Sequence, residues 1–221
     1  MRALLTISVV VSSAYLCLLL THHAAGPFSI VLKVASTGLL VAVAAVAYHR
    51  RKLLILALAF SVAGDLLLEL RHIGSLGPEQ VFLFGLVSFL TAHVFYIAMF
   101  LKSRSASSIS RVRTTACVAA LAAAVISMAV LWPGLAEMRI PVLAYSLVLV
   151  TMVITAQLSG FNDEVAIGAL LFLASDTTLA MCIFGHWFPF GQPLIWITYY
   201  GAQLLILLGV LSSQRTAAAT A

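Results

Sequence analysis

Four side chains that can carry or transfer a proton stand inside long apolar stretches of the sequence. They are Lys33, Asp65, His93 and Asp176. Such side chains are costly in hydrocarbon, so within a membrane segment they usually mark a substrate site, an ion path or a proton relay. Because aspartate and histidine serve as general acids and bases, this set predicts either acid–base catalysis or coupled proton movement inside a membrane.

Further polar side chains lie at a similar depth. At 1.5 Å per helical residue, the titratable residues lie roughly 8–18 Å from the end of each segment that is on the predicted outer side of the membrane. Tyr145, Tyr199 and Gln203 fall in the same layer, and Tyr96 follows His93 by one helical turn. A single cavity inside a helix bundle, lined by polar groups from several helices, would explain this shared depth.

Each candidate also has a structural interpretation. Asp65 and Asp176 could be packing carboxylates bonded to a neighbouring hydroxyl or lysine. Lys33 could extend to the membrane surface, pair with a carboxylate or hold a phosphate. His93 could be a buried neutral histidine, and Gln203 could join two helices by a hydrogen bond.

Other residues are expected to serve the membrane surface. Glu69 follows Asp65 by one turn near the end of its segment, where we expect it to reach water. Tyr145 and Tyr199 could be interface anchors, as we expect for Trp187 and Trp196. A zinc site is weakly suggested by histidines on the same predicted side, but their spacing does not favour one. These histidines are His22, His23, His72 and His186.

The composition indicates which solvent surrounds these residues. The chain has 221 residues, of which 63% are hydrophobic and 9% are charged, whereas soluble domains contain about 25% charged residues. A helix needs about 20 apolar residues to cross a bilayer. The sequence therefore predicts an all-α bundle of eight spans in one membrane domain, without a separate soluble domain. The predicted spans are residues 3–21, 28–48, 52–70, 81–101, 114–132, 140–158, 164–184 and 193–211.

The distribution of basic residues predicts the orientation. With eight spans, nine of the twelve lysines and arginines fall on the face that holds both termini, whereas Arg71 and Arg139 fall on the other. Because basic residues are retained in the cytoplasm, we expect cytoplasmic termini and a cell or inner membrane location. The two halves also predict a parallel four-plus-four repeat, since Asp65 and Asp176 are 111 residues apart.

The sequence resembles the lysoplasmalogenase family of YhhN-like membrane proteins. The resemblance rests on an ordered set of short motifs: Phe60-x-x-x-Gly64-Asp65, Phe84-Gly85, Phe89-x-x-x-His93-x-x-Tyr96, Tyr145, Gly168-Ala169-x-x-Phe172-x-x-Ser175-Asp176 and Tyr199-x-x-x-Gln203-x-Leu205-Ile206. One departure occurs in the second span, where the family often has Lys-Pro and this chain has Lys33-Val34.

The resemblance implies an eight-span ether hydrolase that cleaves the vinyl ether bond of lysoplasmalogens, with membrane lipids around it. Asp65, Asp176 and His93 would be catalytic, with Asp176, the deeper aspartate, as the acid. Lys33, Tyr96, Tyr145, Tyr199 and Gln203 would bind the substrate. No cofactor, metal or nucleic acid partner is expected. The alternatives are a small proton-coupled transporter, for which broken helices at matching positions would be typical, and a non-enzymatic lipid-binding protein.

Overall fold

A computed structural model describes residues 1–24, 26–47, 52–70, 77–104, 109–185 and 190–219. Side chains are described in these ranges except at position 78 and from position 214 onward. The described part of the chain folds into eight α-helices with no strand beyond an isolated bridge between Arg104 and Ser159. The helices are α1 (Arg2–Leu20), α2 (Pro27–Ala47), α3 (Lys52–Leu70), α4 (Pro78–Lys102), α5 (Arg111–Leu131), α6 (Arg139–Gln157), α7 (Asp163–Phe184) and α8 (Gly191–Ala219).

Each of the eight described helices is long and apolar enough to cross a membrane. The prediction of an all-α, eight-span membrane protein is therefore confirmed. The hydrocarbon core has no water to bond the backbone, and a helix pairs its own backbone amides and carbonyls. Continuous helices can therefore span the membrane here. The orientation of the termini and the parallel repeat stay predictions.

Local signals account for the helix ends. Gly26 adopts a positive φ of 89° and Pro27 starts α2, since proline lacks the amide hydrogen that the first helical position does not need. At α5, the Ser110 hydroxyl accepts a hydrogen bond from the backbone amide of Arg113, so the helix starts earlier than the predicted Thr114. Two short 3-10 turns, the first of which contains Pro133, connect α5 to α6.

The chain forms two compact units, residues 1–96 and 97–221. In the first, α2 packs against both α1 and α3. The Ser8 hydroxyl of α1 donates a hydrogen bond to the Ser36 carbonyl of α2 over 2.7 Å. The Ser88 hydroxyl of α4 donates to the Phe60 carbonyl of α3 over the same distance. Polar contacts of this kind hold helices together where lipid removes the hydrophobic driving force.

In the second unit, α7 and α8 pack most closely. A Cβ placed at Gly168 of α7 would lie only 3.0 Å from the Ala202 carbonyl oxygen of α8, so glycine is needed for this approach. Arg113 of α5 contacts the end of α6, the loop that follows it and the start of α7. Its guanidinium donates to the carbonyl oxygens of Gln157, Ser159 and Phe161 and contacts the Asp163 carboxylate at 2.9 Å.

Candidate functional site

A polar cluster in the first unit joins α2 to α3. The Lys33 ammonium donates to Glu69 Oε1 over 2.8 Å and lies 3.8 Å from Asp65 Oδ1. The Thr37 hydroxyl lies 3.3 Å from Asp65 Oδ2, at hydrogen-bond distance. Lys33 and Thr37 are four residues apart on one helix, and so are Asp65 and Glu69 on the other. Each pair therefore occupies one face of its helix, and the two faces meet.

Burial distinguishes the members of this cluster. The Asp65 side chain is 3% exposed, Lys33 is 16% exposed and Glu69 is 30% exposed. One ammonium thus faces two carboxylates, of which the more buried one is held further away. Tyr15 of α1 is also buried and lies within electrostatic range of the three charges. The cluster can place an ionised carboxylate and a cation side by side in a region that largely excludes water.

The second unit holds its aspartate differently. The Tyr145 hydroxyl of α6 donates a hydrogen bond to Asp176 Oδ2 on α7. The preceding residue, Ser175, is buried and donates to the Ile195 carbonyl of α8 over 3.2 Å. A carboxyl group held at one oxygen by a phenol can carry a transferable proton on its other oxygen, which is what a general acid requires.

Aromatic residues of α8 pack beside α7 in the same unit. Tyr199 is buried and meets the Phe172 ring edge-on, with centroids 5.5 Å apart. Trp196 is also buried and stacks on Tyr200 with centroids 5.7 Å apart. The expectation that Trp196 anchors the protein at the membrane interface was therefore wrong, because its ring is needed for packing inside the unit. Trp187 lies outside the described residues.

The remaining predicted site residues are deeply buried. His93 and Tyr96 of α4 have no exposed surface, and Gln203 of α8 is 1% exposed. The motif residue Phe60 stacks on Phe95, which neighbours Tyr96 in the sequence, with centroids 5.6 Å apart. The catalytic and binding roles of these residues, and a cavity shared by all the polar groups, stay predictions.

Sequence reasoning missed two contacts of the first cluster. Glu69 was expected to reach water; its side chain is 30% exposed, and its carboxylate also contacts Lys33 directly. Thr37 was not singled out at all. The signal that could have found both is their spacing of four residues from Lys33 and Asp65, which places them on the same helix faces.

The structure also bears on the alternatives. Helices α3 and α7, which carry the two aspartates, are continuous over their full lengths. They lack the breaks that we expected of a transporter with a parallel repeat. Within the described residues, no three His, Cys, Asp or Glu side chains are grouped to hold a metal ion. His72 and His186 of the zinc alternative lie outside them.

Comparison with known proteins identifies relatives of this chain. The model of the YhhN family matches residues 28–210. A protein named lysoplasmalogenase from Mycobacterium bovis is 34% identical over 184 residues, which cover 79% of this chain and 67% of the relative. Lysoplasmalogenase TMEM86B from Sus scrofa is 33% identical over 136 residues, which cover 62% and 57% of the two chains. The mouse protein of the same name is 31% identical over 156 residues, or 70% and 62%. No solved structure gives a significant match.

Proposed function

The chain belongs to the YhhN family, and we propose that it is an integral-membrane lysoplasmalogenase. Bacterial and mammalian relatives carry that name, and one of them matches four-fifths of this chain. The substrate is a lysophospholipid with a vinyl ether bond. Hydrolysis yields a fatty aldehyde and a glycerophospho-ethanolamine or -choline.

The chemistry requires an acid and a stabilising anion. Proton transfer to the β-carbon of the vinyl ether produces an oxocarbenium ion. Water adds to this ion and returns a proton, and the resulting hemiacetal collapses to aldehyde and alcohol. The overall reaction consumes one water molecule. One protonated and one ionised carboxyl group serve an oxocarbenium-like transition state in glycoside hydrolysis, and we propose the same division here.

The observation that carries this division is the difference between the partners of the two aspartates. Asp65 lies beside the Lys33 ammonium, so an ionised carboxylate is compensated there. We assign Asp65 as the anion that stabilises the oxocarbenium ion. Asp176 accepts a hydrogen bond at Oδ2 from Tyr145, so we assign the transferable proton to its Oδ1. Asp176 is then the general acid.

The other buried polar residues are assigned supporting roles. We propose that His93 accepts the proton of the attacking water and that Gln203 orients this water. Tyr96, Tyr145 and Tyr199 would bind the substrate oxygens and the adjoining chain. Lys33 would contact the phosphate. These assignments rest on residue chemistry and on the burial of the residues.

The direct test is release of aldehyde by purified protein. The protein in detergent is given a lysoplasmalogen, and its saturated alkyl-ether analogue is the control. We expect aldehyde from the vinyl ether alone, because only the vinyl β-carbon can be protonated in this way. If folded protein releases no aldehyde from either the ethanolamine or the choline lipid, the proposed function is wrong.

We further propose that both termini face the cytoplasm of a cell or inner membrane. The support is the charge count: nine lysines and arginines stand on the face that holds the termini. A reporter fused to each terminus should give a cytoplasmic signal in both fusions. Signals from opposite sides would contradict the proposed topology.

A further inference from the structure

The first-unit cluster contains more negative than positive groups. Lys33 contacts two carboxylates, and only the contact with Glu69, at 2.8 Å, is a direct charge-assisted hydrogen bond. Asp65 lies 3.8 Å away. Among the lysines and arginines of the described helices, Lys33 stands furthest from a helix end. Its ammonium is therefore the cation that lies deepest along its helix among the described residues, and Glu69 occupies the nearest position.

The two carboxylates differ in how readily they can leave. Asp65 is almost fully buried and has the Thr37 hydroxyl within hydrogen-bond distance. Glu69 has a longer side chain, is 30% exposed and is the penultimate residue of α3. Its carboxylate can rotate outward at the end of the helix, so leaving Lys33 costs it mainly the ion pair. Asp65 is thus the fixed partner of Lys33, and Glu69 is the displaceable one.

We propose that Glu69 holds the place of the substrate phosphate on Lys33 and is displaced when a lysophospholipid binds. This inference rests on the proposed function, because it names the headgroup element that the site recognises. A phosphate monoanion replaces the Glu69 carboxylate with the same charge and with acceptor oxygens that an ammonium binds well. Glu69 is therefore a specificity residue, since it competes with the phosphate for one cation.

The inference predicts a preference for lipids that carry a phosphate, which a binding experiment can measure without hydrolysis. The probe is 1-O-hexadecyl-lysophosphatidylcholine, which has a saturated ether bond and remains intact. The comparison ligand is 1-O-hexadecylglycerol, which has the same chain and no phosphate. Both radiolabelled lipids are titrated onto full-length protein in nanodiscs. If Glu69 competes with phosphate, its removal must strengthen binding of the first lipid and leave the second unchanged.

We expect Glu69→Gln to bind the phosphate lipid about fivefold more tightly, the factor that corresponds to an ion pair of modest strength. Glu69→Ala should behave in the same way, which guards against a fold defect in one variant. Lys33→Met should bind the phosphate lipid no better than the alkylglycerol, and Lys33→Arg should retain the preference. Glu137→Gln, at an exposed glutamate of the α5–α6 connection, controls for the lost charge and should bind as the unmodified protein does.

Two results would overturn the inference. One is that neither Glu69 variant binds the phosphate lipid more tightly. The other is an equal gain for the alkylglycerol, which would mean that the substitution only opened space. Failure of the proposed hydrolase function is seen separately, in the aldehyde assay with unmodified protein. A phosphate preference that responds to Glu69 in a protein that releases no aldehyde would support the headgroup inference and reject the hydrolase.

Discussion

Asp65 in the first unit and Asp176 in the second each stand on the third helix of a four-helix run, facing a side chain of the second helix. The positions of the two aspartates are similar, but their partners differ. Asp65 faces the Lys33 ammonium at 3.8 Å and the Thr37 hydroxyl at 3.3 Å. Asp176 accepts a hydrogen bond from the Tyr145 phenol. The ammonium brings a positive charge to Asp65, whereas the phenol brings no charge to Asp176. This difference is the basis of the proposed division of roles between the two carboxyl groups.

The strongest test of this difference removes each carboxyl group. Asp65→Asn and Asp176→Asn should each reduce aldehyde release by about 10²–10⁴-fold, the usual contribution of a positioned acid or base. The reason differs between them: the first variant lacks the stabilising anion and the second lacks the proton donor. Initial rates with a lysoplasmalogen measure the effect, and both variants should still insert into the membrane.

Asp163→Asn is the matched control for these variants. Its side chain is 84% exposed and pairs with Arg113 at a helix end. Exposed ion pairs contribute little, so activity should remain close to that of the unmodified protein. Full activity in Asp65→Asn or Asp176→Asn would show that this aspartate is not part of the mechanism. The two aspartates would then not divide the catalytic roles.

A second test addresses the phenol. Tyr145→Phe keeps the ring and removes the hydroxyl that donates to Asp176. A hydrogen bond between neutral groups contributes up to about 1.5 kcal/mol, so aldehyde release should fall roughly tenfold. Thr178→Val is the control, because its hydroxyl lies two residues further along α7 and bonds only its own helix, at the Ala174 carbonyl. Equal losses in the two variants would show that Tyr145 acts through packing alone.

A third test concerns the helix packing around the two aspartates. At Gly168, an added Cβ would lie 3.0 Å from the Ala202 carbonyl oxygen and 3.1 Å from the Ile206 amide nitrogen. Because backbone cannot move aside easily, Gly168→Ala should lower the free energy of unfolding by about 1–3 kcal/mol. At Gly64, the obstacle is the Phe89 ring at 2.6 Å. The Phe89 ring is buried and must be displaced, so Gly64→Ala should also be destabilising.

Thermal unfolding of the purified protein in detergent measures both costs. Gly38→Ala supplies the control, since among the described residues no atom outside its own stretch of helix lies within 4 Å of a Cβ at that position. There the substitution should be neutral or slightly stabilising, as alanine is preferred over glycine inside a helix. If Gly168→Ala is no less stable than Gly38→Ala, the close approach of α7 and α8 is not required.

The helices could be predicted well because hydrocarbon imposes a simple length rule. The predicted span 52–70 coincides with α3, and the span 164–184 differs from α7 by one residue. The larger differences have local causes. Helix α8 continues from the predicted end at 211 to Ala219, through a segment that ends in three consecutive alanines. Alanine favours a helix whether or not the helix lies in a membrane, so hydropathy alone misses the extension.

The contacts between distant residues were less predictable. Composition and depth indicated Lys33 and Asp65, and the four-residue spacing places Glu69 on the helix face of Asp65. That spacing does not show which of the two carboxylates takes the ammonium. Arg113 was counted only as a topology signal, whereas its guanidinium binds backbone carbonyls 44–48 residues away. Such partners depend on how helices pack, which a single sequence does not encode in any fixed spacing. The parallel repeat, which would make Lys33 the counterpart of Tyr145, stays a prediction.

The smallest expected effect concerns the Thr37 hydroxyl, the second partner of Asp65. Thr37→Val removes the hydroxyl that faces Asp65 and keeps the side-chain shape. The same hydroxyl also lies 3.3 Å from the carbonyl oxygens of Lys33 and Val34, so its contact with Asp65 is one of three alternatives. A shared hydrogen bond of this length contributes at the low end of the usual range, and aldehyde release should fall only about twofold. Thr91→Val, whose hydroxyl bonds the Val87 carbonyl, is the control and should have no effect. A loss as large as that of Tyr145→Phe would mean that hydroxyl donors govern both aspartates, and that the ammonium is not what distinguishes Asp65.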